Sequence, residues 1–216
     1  MSEAATLMDR MYRRQRHIYD ATRKFYLLGR DATIAELGAR PGDGVLEIGC
    51  GTGRNLVRIA RRFPEARLFG LDVSNEMLAS ARAAIARARL ETRIRVAQGD
   101  AASFDAARLF GRPHFERVMI SYALSMIPPW REALAKAVDA LAAGGALHIV
   151  DFGDCAGLPA PFRAALGRWL ALFDVTPRVD MGAELAALAA TRGLRCETRA
   201  LMRGYAIRAV VRKPAA

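Results

Sequence analysis

The residues that could do chemistry sit where apolar runs end. Glu47-Ile-Gly49-Cys50-Gly51-Thr52-Gly53 follows the run 45–48 and opens a helical pattern. Glycines at alternate positions let the chain turn tightly and let a ligand approach the backbone, and the helix start offers unpaired N–H groups. Asp72, with Val73 after it, ends a second run at 68–71. A carboxylate there can accept from both hydroxyls of a ribose. Gly99-Asp100-Ala101 closes a third run and sets a second carboxylate beside a purine amino group. Met77, one turn into the following helix, can pack on the face of that ring, and Ser121-Tyr122 ends a fourth run.

The spacing chooses among nucleotides. A nicotinamide fingerprint needs GxGxxG, but Arg54 stands where its last glycine would be. The pattern is instead GxGxG with Glu47 two residues ahead of it, which offers no diphosphate cradle and suits the amino-acid end of S-adenosylmethionine. Taken singly, a GxGxG is a turn and Asp72 a helix cap; in order at successive strand ends they describe one site. The expected cofactor contacts are Glu47, Gly49, Cys50, Gly51, Thr52, Asp72, Val73, Met77, Asp100, Ala101 and Ser121. No metal-ligand cluster or nucleophile–base pair is visible. His148 lies within an apolar strand and reads as a core histidine, while Asp151 ends that strand with its role open.

The elements that position these groups alternate. Strands are expected at 45–48, 68–71, 94–97, 117–121 and 146–151, and helices at 54–63, 75–88 and 129–141. This alternation implies an α/β fold with a Rossmann-like, doubly wound, mostly parallel sheet. Helices at 162–173 and 182–191 follow, then β-rich runs at 194–200 and 205–211. The short link at Gly204 makes that pair an antiparallel hairpin. Residues 1–216 read as a single domain: helices over 1–40, a cofactor core at 41–151, and a substrate side at 152–216.

The chain has 216 residues, is 52% hydrophobic and 25% charged, and can bury a large core. It shows no signal-peptide pattern, and its longest charge-free apolar run, 140–150, is too short to span a bilayer, which takes about 20 residues. Three cysteines without a CxxC pair exclude a disulfide framework and fit a reducing cytoplasm. The net charge of +11 favours anionic partners, although only three of 33 basic residues are lysine, a bias that a GC-rich genome also produces.

Residues 4–28 form an expected amphipathic helix ended by Gly29, with a second helix from Asp31 to Gly38. Leu7, Met11, Ile18, Tyr19, Phe25 and Tyr26 share one face; Arg10, Arg13, Arg14, Arg16 and Lys24 fill the other. Such a helix can lie on an anionic membrane surface or close as a lid over the cleft. Tyr19 and Arg30 are the candidates to hold the cofactor's amino-acid end, and Tyr26 and Tyr122 are the candidate catalytic-side groups near the acceptor amine.

The core, 41–151, resembles class I methyltransferases, with their motif glycines at Gly49, Gly51 and Gly53, ribose acid at Asp72 and adenine-side acid at Asp100. Met11-Tyr-Arg-Arg-Gln15 through Tyr26-Leu-Leu-Gly29-Arg30-Asp31 resembles the diacylglycerylhomoserine N-methyltransferases of bacterial betaine-lipid synthesis. Leu158-Pro-Ala-Pro-Phe162, Trp169-Leu-Ala-Leu-Phe173 and Val175-Thr-Pro177-Arg178 are similar to the same family. The resemblance implies S-adenosyl-L-methionine as cofactor, a lipid head-group amine as acceptor, and a companion 3-amino-3-carboxypropyl transferase. With the cysteine usage and the basic helix, the expected location is the cytoplasm, peripheral to the inner face of the cytoplasmic membrane.

Three alternatives stay open: another amine such as phosphatidylethanolamine or a small metabolite, an RNA substrate, and a non-catalytic cofactor-binding subunit. Nucleic acid is not the expected partner. The Asn/Asp-Pro-Pro-aromatic pattern of amino-base enzymes is absent at Ser121-Tyr122-Ala123-Leu124, and Pro128-Pro129-Trp130 comes late, after Ile127.

Overall fold

The computed structural model describes residues 27–215. Seven strands form one sheet: β1 Gly44–Ile48, β2 Arg67–Asp72, β3 Ile94–Gln98, β4 Phe115–Ser121, β5 Leu141–Phe152, β6 Arg195–Leu201 and β7 Ala206–Arg212. Their order is β3-β2-β1-β4-β5-β7-β6. The first five run parallel, while β7 lies antiparallel to both β5 and β6. Strand order reverses on either side of β1, which opens a crevice beyond the carboxyl ends of β1 and β4.

Among the described residues seven helices flank the sheet: α1 Arg30–Ala35, α2 Arg54–Arg62, α3 Asn75–Arg87, α4 Ala106–Phe110, α5 Trp130–Asp139, α6 Ala160–Ala171 and α7 Met181–Thr191. A two-residue period sorts the central strands between the two faces. Val45 and Met119 pack toward α1, α2 and α3, whereas Leu46, Ile48, Val118 and Ile120 pack toward α5 and α7. Glu47 therefore shares the face of Val45, the one α2 covers. All five residues of β1 are buried, as a parallel strand covered on both faces must be. The edge strand β6 is largely exposed and carries Arg195, Glu197 and Arg199, charges that blunt an open edge.

This is the expected Rossmann-like fold with its antiparallel hairpin. Four details differ from the sequence expectation. Leu27 is irregular and Leu28 lies in a turn, where a helix end was expected. The helix from Asp31 stops at Ala35. The short α4 was invisible to periodicity; Asp105 caps it, accepting the Arg108 N–H at 3.1 Å. Finally, β5 starts at Leu141, because an irregularity in its pairing with β4 and a left-handed Gly144 carry the strand through Ala-Ala-Gly-Gly. Among the described residues no helix is long and apolar enough to cross a membrane.

Candidate active site

The site begins where β1 ends. Gly49, Gly51 and Gly53 all adopt left-handed backbone, with φ of 71°, 51° and 72°. The turn is clamped from below: the Gly49 and Cys50 N–H groups both donate to the Leu71 carbonyl, at 2.8 and 2.9 Å. It also has no room for side chains. A Cβ on Gly49 would lie 2.5 Å from that of Ala123, and one on Gly53 would lie 3.0 Å from that of Ala81. Two glycines of the loop are thus wedged between the β4 exit and α3. The loop delivers the chain into α2, whose first turn has no capping side chain.

Asp72, at the end of β2, turns back toward this loop. Its carboxylate accepts the Gly51 N–H at 2.7 Å and the Ser74 N–H at 3.0 Å. Each carboxylate oxygen has further lone pairs, so the acid is oriented and can still accept from a ligand. Ser74 caps α3 by accepting the Met77 N–H at 3.3 Å. Next door, the Gly99 N–H donates to the Asp72 carbonyl, which brings the ends of β2 and β3 together. Asp100 accepts the Ala102 N–H at 2.8 Å, and Gln98 donates to the Val73 carbonyl at 3.0 Å. Met77 is buried against Met126 and Phe173, so one apolar wall draws on α3, the 3-10 turn 124–126 and the turn that follows α6. Glu47 takes the Asn55 amide at 2.7 Å across the start of α2.

A cavity of about 30 Å³ lies at the head of the loop, lined by Leu27, Arg30, Gly49, Cys50, Arg54, Asn55 and Ser121. Arg30 is 4% exposed, and its Nε donates to the exposed Asp31 at 3.3 Å. Burial, followed by the neighbouring Arg54, lowers its pKa, so an anion beside it is favoured. The Ser121 hydroxyl is buried and has no hydrogen-bond partner among the described residues. An orphaned hydroxyl, a buried guanidinium and a helix N-terminus around one small cavity fit a zwitterionic amino-acid group. Leu27, Arg54 and Asn55 were not expected as lining; nothing in their spacing marks them, since folding alone brings them here.

The other candidates divide. Cys50 is buried, with its thiol pKa pushed up by burial and by Asp72, so it packs rather than reacts. Thr52 and Ala101 are half-buried. Tyr122 was expected near the acceptor amine, where its hydroxyl or the backbone oxygens could orient that amine. The structure instead buries that ring against Phe152, with centroids 4.8 Å apart, and its hydroxyl donates to the Leu28 carbonyl at 2.5 Å. Asp151 is fully buried and accepts from Phe152 N at 2.8 Å and Ser125 N at 3.3 Å, which fixes the turn after β4. Tyr19 and Tyr26 lie outside the described residues, as does nearly all of the expected first helix.

The sequence pattern of the methyltransferase-domain family matches residues 45–145, the stretch that carries this loop and both acids. A demethylmenaquinone methyltransferase of Beutenbergia cavernae is 31% identical over 81% of this chain and 67% of its own length. The chain belongs to the class I S-adenosylmethionine-dependent methyltransferases. The trans-aconitate 2-methyltransferase of Deinococcus radiodurans is 33% identical, over 51% of the chain and 38% of that relative. The chain thus spans about half, or less, of the length of several curated methyltransferases that it matches. Geranyl diphosphate C-methyltransferase of Streptomyces coelicolor, solved with S-adenosyl-L-homocysteine, shares the methyltransferase fold. Its TM-score is 0.66 at 15% identity, covering 87% of this chain and 78% of that one. S-adenosyl-L-methionine is the family's cofactor, and the glycine loop, Asp72 and the Arg30 cavity fit it.

Proposed function

We propose that this methyltransferase acts on the amine of diacylglycerylhomoserine, adding methyl groups up to the trimethylated betaine lipid. One observation carries the reading. Residues 158–175, whose sequence resembles the betaine-lipid enzymes, form an apolar wall beside the cofactor cleft. Leu158, Leu166, Trp169, Leu170, Phe173 and Val175 pack with Tyr122, Phe152 and Tyr205, and Phe173 also reaches Met77. Phe162 and Leu172 of the same stretch stay exposed, 47% and 70%. A wall of this kind suits an acyl-bearing acceptor better than a small polar one.

Bound S-adenosylmethionine supplies a sulfonium-activated methyl group for in-line displacement by a neutral amine. Arg30 and Arg54 at the head of the loop hold its carboxylate, Asp72 its ribose, and Asp100 with Met77 its adenine. The apolar wall excludes water from the reacting atoms and aligns the acceptor; alignment and desolvation are the main contributions an enzyme can make to this step. Tyr122 acts as a positioning residue for Leu27–Arg30. A companion 3-amino-3-carboxypropyl transferase makes the acceptor.

The test is methyl transfer from labelled S-adenosylmethionine to lipid extracts with and without diacylglycerylhomoserine, read by mass spectrometry. Successive gains of one to three methyl groups on the homoserine lipid alone support the reading. Turnover confined to soluble amines, phosphatidylethanolamine or RNA overturns it.

A further inference from the structure

Between α2 and α3 runs an open groove of about 780 Å³. Arg54, Arg58, Arg61 and Arg62 line it from α2, and Arg87 lines it from the last residue of α3. Positions 54, 58, 61 and 62 follow the i, i+4, i+7, i+8 pattern of a single helix face. On a core-facing stripe those positions would be apolar; here every one is arginine. Of these five arginines only Arg58 has an ion-pair partner among the described residues, Asp31 at 2.9 Å. Like charges stacked along one helix face weaken the helix, so this stripe does not serve folding.

Guanidinium forks match phosphate oxygens two at a time, and a row of them matches a field of phosphates. Among the described residues the groove is lined by no aromatic or amide side chain that could stack on or read a base, and Val57 and Ala84 put aliphatic surface between the charges. Arg54 also lines the small cavity at the head of the glycine loop, so groove and cofactor cleft share a wall.

We propose that the α2–α3 groove seats the phosphates of anionic phospholipids and docks the cleft against a bilayer surface. This rests on the reading of the acceptor as a lipid, since a soluble acceptor would give such docking no purpose.

The experiment compares the full chain with the triple variant Arg61→Ser, Arg62→Ser, Arg87→Ser in sedimentation with vesicles. One set contains phosphatidylcholine alone and the other adds phosphatidylglycerol. All three side chains are exposed and stand outside the cofactor cleft, so S-adenosylhomocysteine affinity should stay unchanged and serves as the check on folding. The wild-type chain should sediment with the anionic vesicles only, and the variant should bind them about a hundredfold more weakly, as three surface cations predict. Vesicle binding that ignores phosphatidylglycerol, or a variant within about twofold of wild type, overturns the proposal. Tighter binding to RNA than to the anionic vesicles, with a steep salt dependence lost in the variant, overturns it in favour of a nucleic-acid surface. Turnover of diacylglycerylhomoserine in detergent micelles keeps the two readings apart. Charge-dependent vesicle binding without micellar turnover sinks diacylglycerylhomoserine as the acceptor and leaves the docking surface standing for another lipid acceptor.

Discussion

The Tyr122 hydroxyl donates to the carbonyl of Leu28, 94 residues earlier in the chain, at 2.5 Å. Tyr122 holds left-handed backbone, φ 52°, just after Ser121 leaves β4, and its ring is locked against Phe152. This bond fastens the turn before α1 to the exit of β4. Arg30, on the first turn of that helix, is thereby held beside Gly49 and Ser121. Tyr122→Phe removes the donor and strands a carbonyl, at a cost of ~1 kcal/mol in urea unfolding. Tyr122→Ala also opens a cavity and should cost ~3 kcal/mol or more. Both variants should weaken S-adenosylhomocysteine binding, because both release Arg30.

Arg30 itself separates the two ends of the cofactor. Arg30→Met should weaken S-adenosylhomocysteine by roughly 10- to 100-fold, the effect of losing a charge-assisted hydrogen bond. Adenosine, which lacks the amino-acid group, should bind the variant and the wild type equally. Calorimetric titration with both ligands reads the difference.

Gly49 meets two obstacles to a side chain: a φ of 71° and the Ala123 Cβ 2.5 Å from its own virtual Cβ. Gly49→Ala should destabilise by ~2 kcal/mol and abolish cofactor binding. Adding Ala123→Gly relieves the collision but not the backbone strain, so thermal unfolding of the double variant should recover only in part.

Two buried groups pull the pH dependence in opposite directions. Burial raises the Asp151 carboxyl to about 6. Its contribution to stability is therefore complete below the ordinary value of 3.8 and is lost as pH rises through 6. Burial, reinforced by Arg117, lowers His148 to about 4. Its contribution is complete above 6.5 and is lost as pH falls through 4. Each shift is worth at most ~3 kcal/mol. In urea titrations between about pH 4 and pH 7, Asp151→Asn should make stability rise more steeply with pH than in wild type, and His148→Gln should do the reverse.

The sheet and the acids were legible because a two-residue period, glycine spacing and strand-end carboxylates are local signals. The left-handed run Gly49, Gly51, Gly53 and the turn of Asp72 onto Gly51 follow from residues within one βαβ unit. What was hidden depends on distant partners. Met77 meets Phe173 only after α6 folds across the cleft, and no spacing relates Leu28 to Tyr122. The five-residue α4 is shorter than two turns, so its pattern carries no period, and the Gly144-Gly145 pair in β5 reads as a turn until β4 and β7 bracket it. The arginine stripe of α2 stood in the sequence, but there it read only as net charge. It became a surface when α3 brought Arg87 alongside.

Titration calorimetry with S-adenosylhomocysteine reads whether the Gly49–Asp72 cleft binds the cofactor. Wild-type protein should bind one equivalent, and Asp72→Ala, shown to be folded by its thermal transition, should bind at least tenfold more weakly. Undiminished affinity in the variant, or no binding by the wild-type chain, would rule out a cofactor site at this cleft.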